Sequence, residues 1–119
     1  MDPRRAFGNE GEKTAADFLS RKGCKIIGRQ VRTAFGEIDL VCEDQGEIVF
    51  VEVKARSTDE FGNPEAAITA KKFETMSRCA QAYLAEHALE SKPWRLDVVA
   101  IRGSEIVHFP GVDSPHGNW

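Results

Sequence analysis

Three observations predict an α/β fold with a mixed central sheet and helices on both faces. The first is a hairpin. Its arms, Gly36-Glu37-Ile38-Asp39-Leu40-Val41 and Ile48-Val49-Phe50-Val51-Glu52-Val53-Lys54, flank the turn residues Glu43-Asp44-Gln45-Gly46. The second is a pair of helical patterns, near residues 4–22 and 71–89, one on each side of the hairpin in the chain. The third is Leu96-Asp97-Val98-Val99-Ala100-Ile101, a nearly continuous apolar run of the kind expected in a buried strand. Strand, helix and strand in this order make the third and fourth strands parallel neighbours across a right-handed crossover.

The first helix runs from Arg4 to Lys22 and meets a natural stop at Gly23. Gly8, Gly11, Ala15, Ala16 and Leu19 form a small-residue face suited to close packing on a sheet. Glu12 lies on that same stripe, because Ala15, Ala16 and Leu19 are its i+3, i+4 and i+7 neighbours. An acid there either pairs with a base or reaches a site. Lys25 to Arg32 is the first strand, and the hairpin supplies the next two. Residues 57–64 form a polar loop, in which Asn63 caps a short helical piece that Pro64 begins. The second helix carries the core stripe Phe73, Met76, Ala80, Tyr83 and Leu84 and stops at Ser91-Lys92-Pro93. A Gly103-Ser104 turn then leads to the short strand Ile106–Phe109. Residues 1–110 make one domain, and 111–119 a loosely ordered tail.

Composition narrows the chemistry. A hydrophobic share of 41% and a charged share of 29% are ordinary for a soluble globular protein. No apolar stretch follows Met1-Asp2-Pro3-Arg4-Arg5, so neither a signal peptide nor a membrane span is expected. Cys24, Cys42 and Cys79 lack C-x-x-C spacing and read as reduced thiols of a cytoplasmic protein. His87, His108 and His116 lack metal-ligand spacing and read as solvated or satisfied. Carboxylate chemistry is what remains. The net charge of −3 argues mildly against a tight nucleic-acid binder, although residues 1–32 carry +4 and the remainder −7.

A turn centred between Gln45 and Gly46 sets Asp39 opposite Glu52 and Lys54 opposite Glu37. These four then share one face, and Ile38, Leu40, Cys42, Val49, Val51 and Val53 share the other. Opposed side chains have Cβ atoms about 4.5–5.5 Å apart, and like charges there destabilise a sheet. Two facing carboxylates therefore need a cation. A divalent metal is one answer; ion pairs with Lys54, Arg32 or Arg56 are the other. Oxygen ligands from Asp39, Glu52 and the Val53 carbonyl suit Mg²⁺ or Mn²⁺ rather than a soft metal. Arg56 and Lys72 are candidate phosphate contacts, and Phe61 either stacks on a base or anchors its loop. Glu37 reads as a substitute ligand, a partner for Lys54 or a solvated residue; Asp97 reads as structural, holding Arg95 or a loop amide.

Four blocks, Gly8-Asn9-Glu10-Gly11-Glu12, Gly36-Glu37-Ile38-Asp39-Leu40, Val49 to Arg56 and Arg95-Leu96-Asp97-Val98-Val99, resemble the bacterial YraN family. That family is similar to Holliday junction resolvases and to the restriction-endonuclease-like superfamily. The resemblance implies an αβββαβ core. It maps an acid, then acid-x-lysine signature onto Asp39, Glu52 and Lys54, and a first-helix glutamate onto Glu12. Ile38 departs from the pattern, since many members carry proline there. The implied activity is Mg²⁺- or Mn²⁺-dependent hydrolysis of nucleic-acid phosphodiesters, DNA before RNA, with branched DNA favoured by analogy. In it Lys54 orients water or offsets charge on the phosphate. Shared fold does not certify chemistry. A non-catalytic nucleic-acid-binding module and an acidic interaction protein with a basic protein partner remain the rival classes. A homodimer also stays open.

Overall fold

A computed structural model describes the backbone of residues 3–56 and 69–112 and the side chains of 10–55 and 69–112. The element order is α1 (Pro3–Arg21), β1 (Lys25–Thr33), β2 (Gly36–Asp44), β3 (Glu47–Arg56), α2 (Ala70–Glu86), β4 (Trp94–Arg102) and β5 (Glu105–Phe109). The five strands lie side by side in chain order. β3 and β4 pair in parallel and the other neighbours antiparallel. This is the α/β, restriction-endonuclease-like αβββαβ arrangement that the sequence predicts, with β5 added at one edge. Asn63, Pro64 and Phe61 lie outside the described residues.

Local signals explain the boundaries. Gly23 takes φ +100°, and the Cys24 N–H reaches back to the Leu19 carbonyl at 3.0 Å, closing α1. Gln45 and Gly46 adopt φ 52° and 87°, the paired left-handed conformation of a tight hairpin turn. That turn fixes the register Leu40↔Val51 through Asp44↔Glu47. The Thr69 hydroxyl accepts the Lys72 N–H at 3.1 Å and caps α2. α2 ends at Glu86 with His87 as its C-cap, slightly earlier than periodicity suggests.

The sheet is covered on both faces. Ala15, Ala16 and Leu19 of α1 pack on Leu40, Cys42, Val49, Val51, Val99 and Ile101. Met76, Cys79, Ala80, Tyr83 and Leu84 of α2 pack on Ile38, Val41, Ile48, Phe50, Leu96 and Val98. A Cβ on Gly11 would stand 2.8 Å from Ala55 Cβ, so glycine is what lets α1 approach β3 this closely. Phe50 packs edge-on against Tyr83 and Trp94, with ring centroids 5.6 and 5.9 Å away. Burying such a side chain contributes about 1.5–3 kcal/mol.

One expectation about faces is corrected. Regular alternation sets Ile38 with Leu40, yet Ile38 lies in the α2 layer with Val41, and Leu40 lies in the α1 layer. The alternation of β2 therefore breaks at Asp39. β1 breaks opposite that point. A Cβ on Gly28 would meet Val31 Cγ2 at 2.8 Å, so residues three apart share a face. Between them Gln30 takes φ 48°. The pairs Arg29↔Leu40 and Val31↔Ile38 set Gln30 across from Asp39. Beyond Leu40↔Val51 the β2–β3 ladder stops, whereas β3 and β4 stay paired to Arg56↔Arg102. β2 and β3 part at Asp39.

The C-terminal boundary also shifts. Gly111 and Val112 are docked rather than loose: the Gly111 N–H donates to Asp97 Oδ1 at 2.9 Å and the Val112 N–H to the Leu96 carbonyl at 2.7 Å. Val112 is buried in the α2 layer, and residues 113–119 lie outside the described residues.

Candidate functional site

Where the strands part, Asp39 turns its carboxylate into the gap. Its Oδ2 accepts the Val53 N–H at 2.8 Å, satisfying an amide that the ended ladder leaves free. Glu52, next in register after Val51, is buried, with 6% of its surface exposed. Its two oxygens face lysines, Oε1 at 3.6 Å from Lys54 Nζ and Oε2 at 3.4 Å from Lys72 Nζ. Burial, then the charge of Glu52, push the Asp39 carboxyl up from 3.8 to about 6; the Val53 amide, Lys72 and Lys54 pull the other way.

Glu12 reaches the same region from α1. Its Oε2 accepts from Gln30 Nε2 at 3.1 Å, while Oε1 is buried with no hydrogen-bond partner. Burial is the main cause raising the Glu12 carboxyl, and the charges of Asp39 and Glu37 add to it. Lys13, Arg29 and Gln30 line a cleft beside it of about 180 Å³. Asp39 thus feels Glu52 on one side, and Glu12 feels Asp39 from α1.

The structure brings together Asp39, Glu52, Lys54 and Lys72, while Glu12 approaches from α1 close enough to feel the charges of Asp39 and Glu37. Lys72, expected at a phosphate, pairs with Glu52. Val53 enters the site through its N–H, which donates to Asp39. Glu37 pairs with Arg32, Oε2 to Nη2 at 3.6 Å, instead of Lys54. The Arg56 side chain lies outside the described residues. Among the described residues no three His, Cys, Asp or Glu side chains are grouped closely enough to hold a metal ion. Gln30 is the residue that sequence reasoning missed. A glutamine in a strand gives no sign that its backbone will turn left-handed and aim its amide at α1.

Comparison with known proteins fixes the lineage. The uncharacterised protein family UPF0102 matches residues 11–101. A UPF0102 protein of Syntrophotalea carbinolica is 42% identical over 112 residues, 91% of this chain and 91% of its own. One from Symbiobacterium thermophilum is 46% identical over 97 residues, 82% of each chain. Another, from Roseiflexus castenholzii, is 44% identical over 114 residues, 90% of this chain and 92% of its own. The chain belongs to UPF0102. The YraN resemblance is borne out as membership of this family. The UPF0102 span takes in the whole acidic cluster and Asp97, and it stops before β5.

A second polar group in this UPF0102 chain stands apart from the cluster. Asp97 is fully buried and accepts from Arg95 Nε at 3.0 Å, from His108 at 2.7 Å and from the Gly111 N–H. Arg95 also reaches Glu47 at 2.6 Å and Asp44 at 3.2 Å. Lys22 Nζ stands 2.8 Å from His108 Nδ1; an ammonium can only donate, so that nitrogen accepts and Nε2 carries the proton toward Asp97. Burial alone would raise the Asp97 carboxyl, but its hydrogen bonds from His108, Arg95 and Gly111 hold it below its usual value. Its donors are those of a structural clamp, as expected for Asp97. Burial pushes the neighbouring Cys42 thiol up to about 12, which makes it a poor nucleophile. No helix among the described residues is long and apolar enough to cross a membrane.

Proposed function

We propose that this UPF0102 protein is a divalent-metal-dependent hydrolase of nucleic-acid phosphodiesters, acting at the gap between β2 and β3. The observation that carries the reading is the orphaned Glu12 Oε1 beside Asp39. A purely structural ion pair leaves no buried carboxylate oxygen without a partner, and such atoms are scarce because desolvating them is costly. Asp39, its carboxyl raised to about 6 by burial and by the charge of Glu52, fits the pattern of a functional site.

The donor set fits Mg²⁺ or Mn²⁺: carboxylate oxygens of Asp39 and Glu52, with Glu12 in reserve, and no thiol or imidazole among them. Bound there, the ion supplies Lewis-acid polarisation of a phosphoryl oxygen and a more acidic water. The protein's own groups do the rest. Gln30 orients Glu12, and the Val53 amide fixes Asp39. Lys54, 3.6 Å from Glu52, offsets negative charge that grows on the attacked phosphate. Lys72 neutralises Glu52 from α2 and would be free to contact a phosphate were a cation to take its place.

Calorimetric titration of Mn²⁺ into wild type and Asp39→Asn, beside cleavage of linear, single-stranded and four-way DNA and RNA, tests the proposal. Wild type binds the ion and Asp39→Asn loses most of that affinity. Equal binding by both proteins refutes the metal site. Nucleic-acid binding without metal-dependent cleavage would favour a binding module. Neither binding nor cleavage would favour an acidic surface for a protein partner.

A further inference from the structure

The β1–β2 turn is clamped to α2. The Thr33 hydroxyl accepts the Phe35 N–H at 3.1 Å, donates to the Gly36 carbonyl at 2.9 Å and lies 3.2 Å from Cys79 Sγ. Gly36 sits at φ +145°, where a Cβ would stand 3.3 Å from Thr75 Cγ2 and 3.5 Å from Cys79 Sγ. So fixed, the turn presents Phe35 with 51% of its surface exposed. A lone exposed apolar residue is ordinary. Its surroundings are not.

Phe35 forms one wall of a cleft of about 260 Å³, completed by Lys71, Glu74, Thr75 and Arg78. The Arg78 guanidinium is 6.0 Å from the ring centroid and is bonded to Glu74 at 2.8 Å. Arg32, whose side chain is 84% exposed, lies at the same end of β1 and pairs with Glu37. Lys71 directly precedes Lys72, whose ammonium pairs with Glu52, so the first turn of α2 borders both the cleft and the acidic cluster. An open aromatic face with Lys71 and Arg78 beside it suits a planar base with a phosphate on either side, for which Arg78 would exchange its bond to Glu74. A protein partner would need a far larger apolar area than one ring offers.

We propose that the Phe35 cleft receives an unpaired base of the nucleic-acid strand whose backbone crosses the acidic cluster. The base stacks on Phe35, and Lys71 and Arg78 hold the flanking phosphates. This rests on the nucleic-acid reading of the cluster and narrows it to substrates with bases free of a duplex, since a paired base is already stacked on its neighbours. Fluorescence anisotropy of the full chain with a labelled single strand, and with the duplex of the same sequence, tests it. Phe35→Ala weakens single-strand binding by roughly 5- to 150-fold and leaves duplex binding unchanged. Phe35→Trp keeps the affinity, and the emission it adds is quenched by the single strand and not by the duplex. Arg78→Ala weakens both and lessens their salt dependence. If wild type binds nucleic acid while Phe35→Ala matches it and Phe35→Trp shows no quenching, the cleft assignment falls and the cluster reading stands. If wild type binds neither strand nor duplex, both fall.

Discussion

Asp39 is the residue on which the account turns, and its protonation has a definite sign. In the folded chain its carboxyl is raised from 3.8 to about 6, so the native state holds that proton more tightly than the unfolded chain does. Stability then falls as pH rises across that window, and above it the ionised Asp39 is a standing penalty. Asp39→Asn keeps an oxygen for the Val53 amide and removes the charge. Its stability near pH 7.5 exceeds wild type by about 1–3 kcal/mol, and the gap narrows toward pH 4. Urea unfolding of both proteins at the two pH values checks this; an asparagine variant less stable than wild type at both would contradict it. At this scale the sequence was partly legible. The register from Leu40↔Val51 to Asp44↔Glu47 could be read because Gln45-Gly46 fixes the turn, but the expected pair of Asp39 opposite Glu52 is not formed, since the ladder stops at Leu40↔Val51. Gln30 could not be found, because its role depends on a φ of 48° that residue type does not encode.

At the scale of elements, Asp97 on β4 ties β5 and the segment after it to its own strand, taking hydrogen bonds from Arg95, His108 and the Gly111 N–H. Its carboxyl is held below 3.8, so the stability it contributes is complete above that value and is lost as pH falls toward the folded value. Asp97→Asn leaves Arg95 with weaker company and lowers stability at neutral pH by about 2–4 kcal/mol; it also flattens the acid limb below pH 4. Denaturant midpoints measured from pH 3 to pH 7 decide it, and equal midpoints for variant and wild type at pH 7 would refute the clamp. The parallel β3–β4 pair and both helices were legible from apolar runs, small-residue faces and stop signals. The face assignment of Ile38 was not. Period-two reasoning assumes unbroken alternation, and the matched breaks at Gln30 and Asp39 move Ile38 to the α2 layer. That same break opens the gap into which Asp39 turns, so the sequence rule fails at the candidate site itself.

For the whole molecule, the fold supplies one gap with acids on both of its walls, basic groups around it and a net charge of −3 overall. The proposed binding to a polyanion would have to come from the local surface of Lys54, Lys71, Lys72 and Arg78 rather than from the chain's total charge. The αβββαβ order was legible because each element carries its own signal; the candidate site was visible only as a triad of residue types, since side-chain partners such as Lys72 depend on how α2 docks. Lys54 distinguishes an enzyme from a binder, because a group acting on charge that develops during reaction affects rate more than ground-state affinity. The decisive measurement is Mn²⁺-dependent cleavage of single-stranded and branched DNA by wild type and Lys54→Ala, with Mn²⁺ affinity measured on the same preparations. The account predicts cleavage by wild type and a loss of at least roughly 100-fold in kcat for Lys54→Ala, with Mn²⁺ affinity kept or tightened. Cleavage by Lys54→Ala at the wild-type rate, or no metal-dependent cleavage by wild type on any of these substrates, would contradict it.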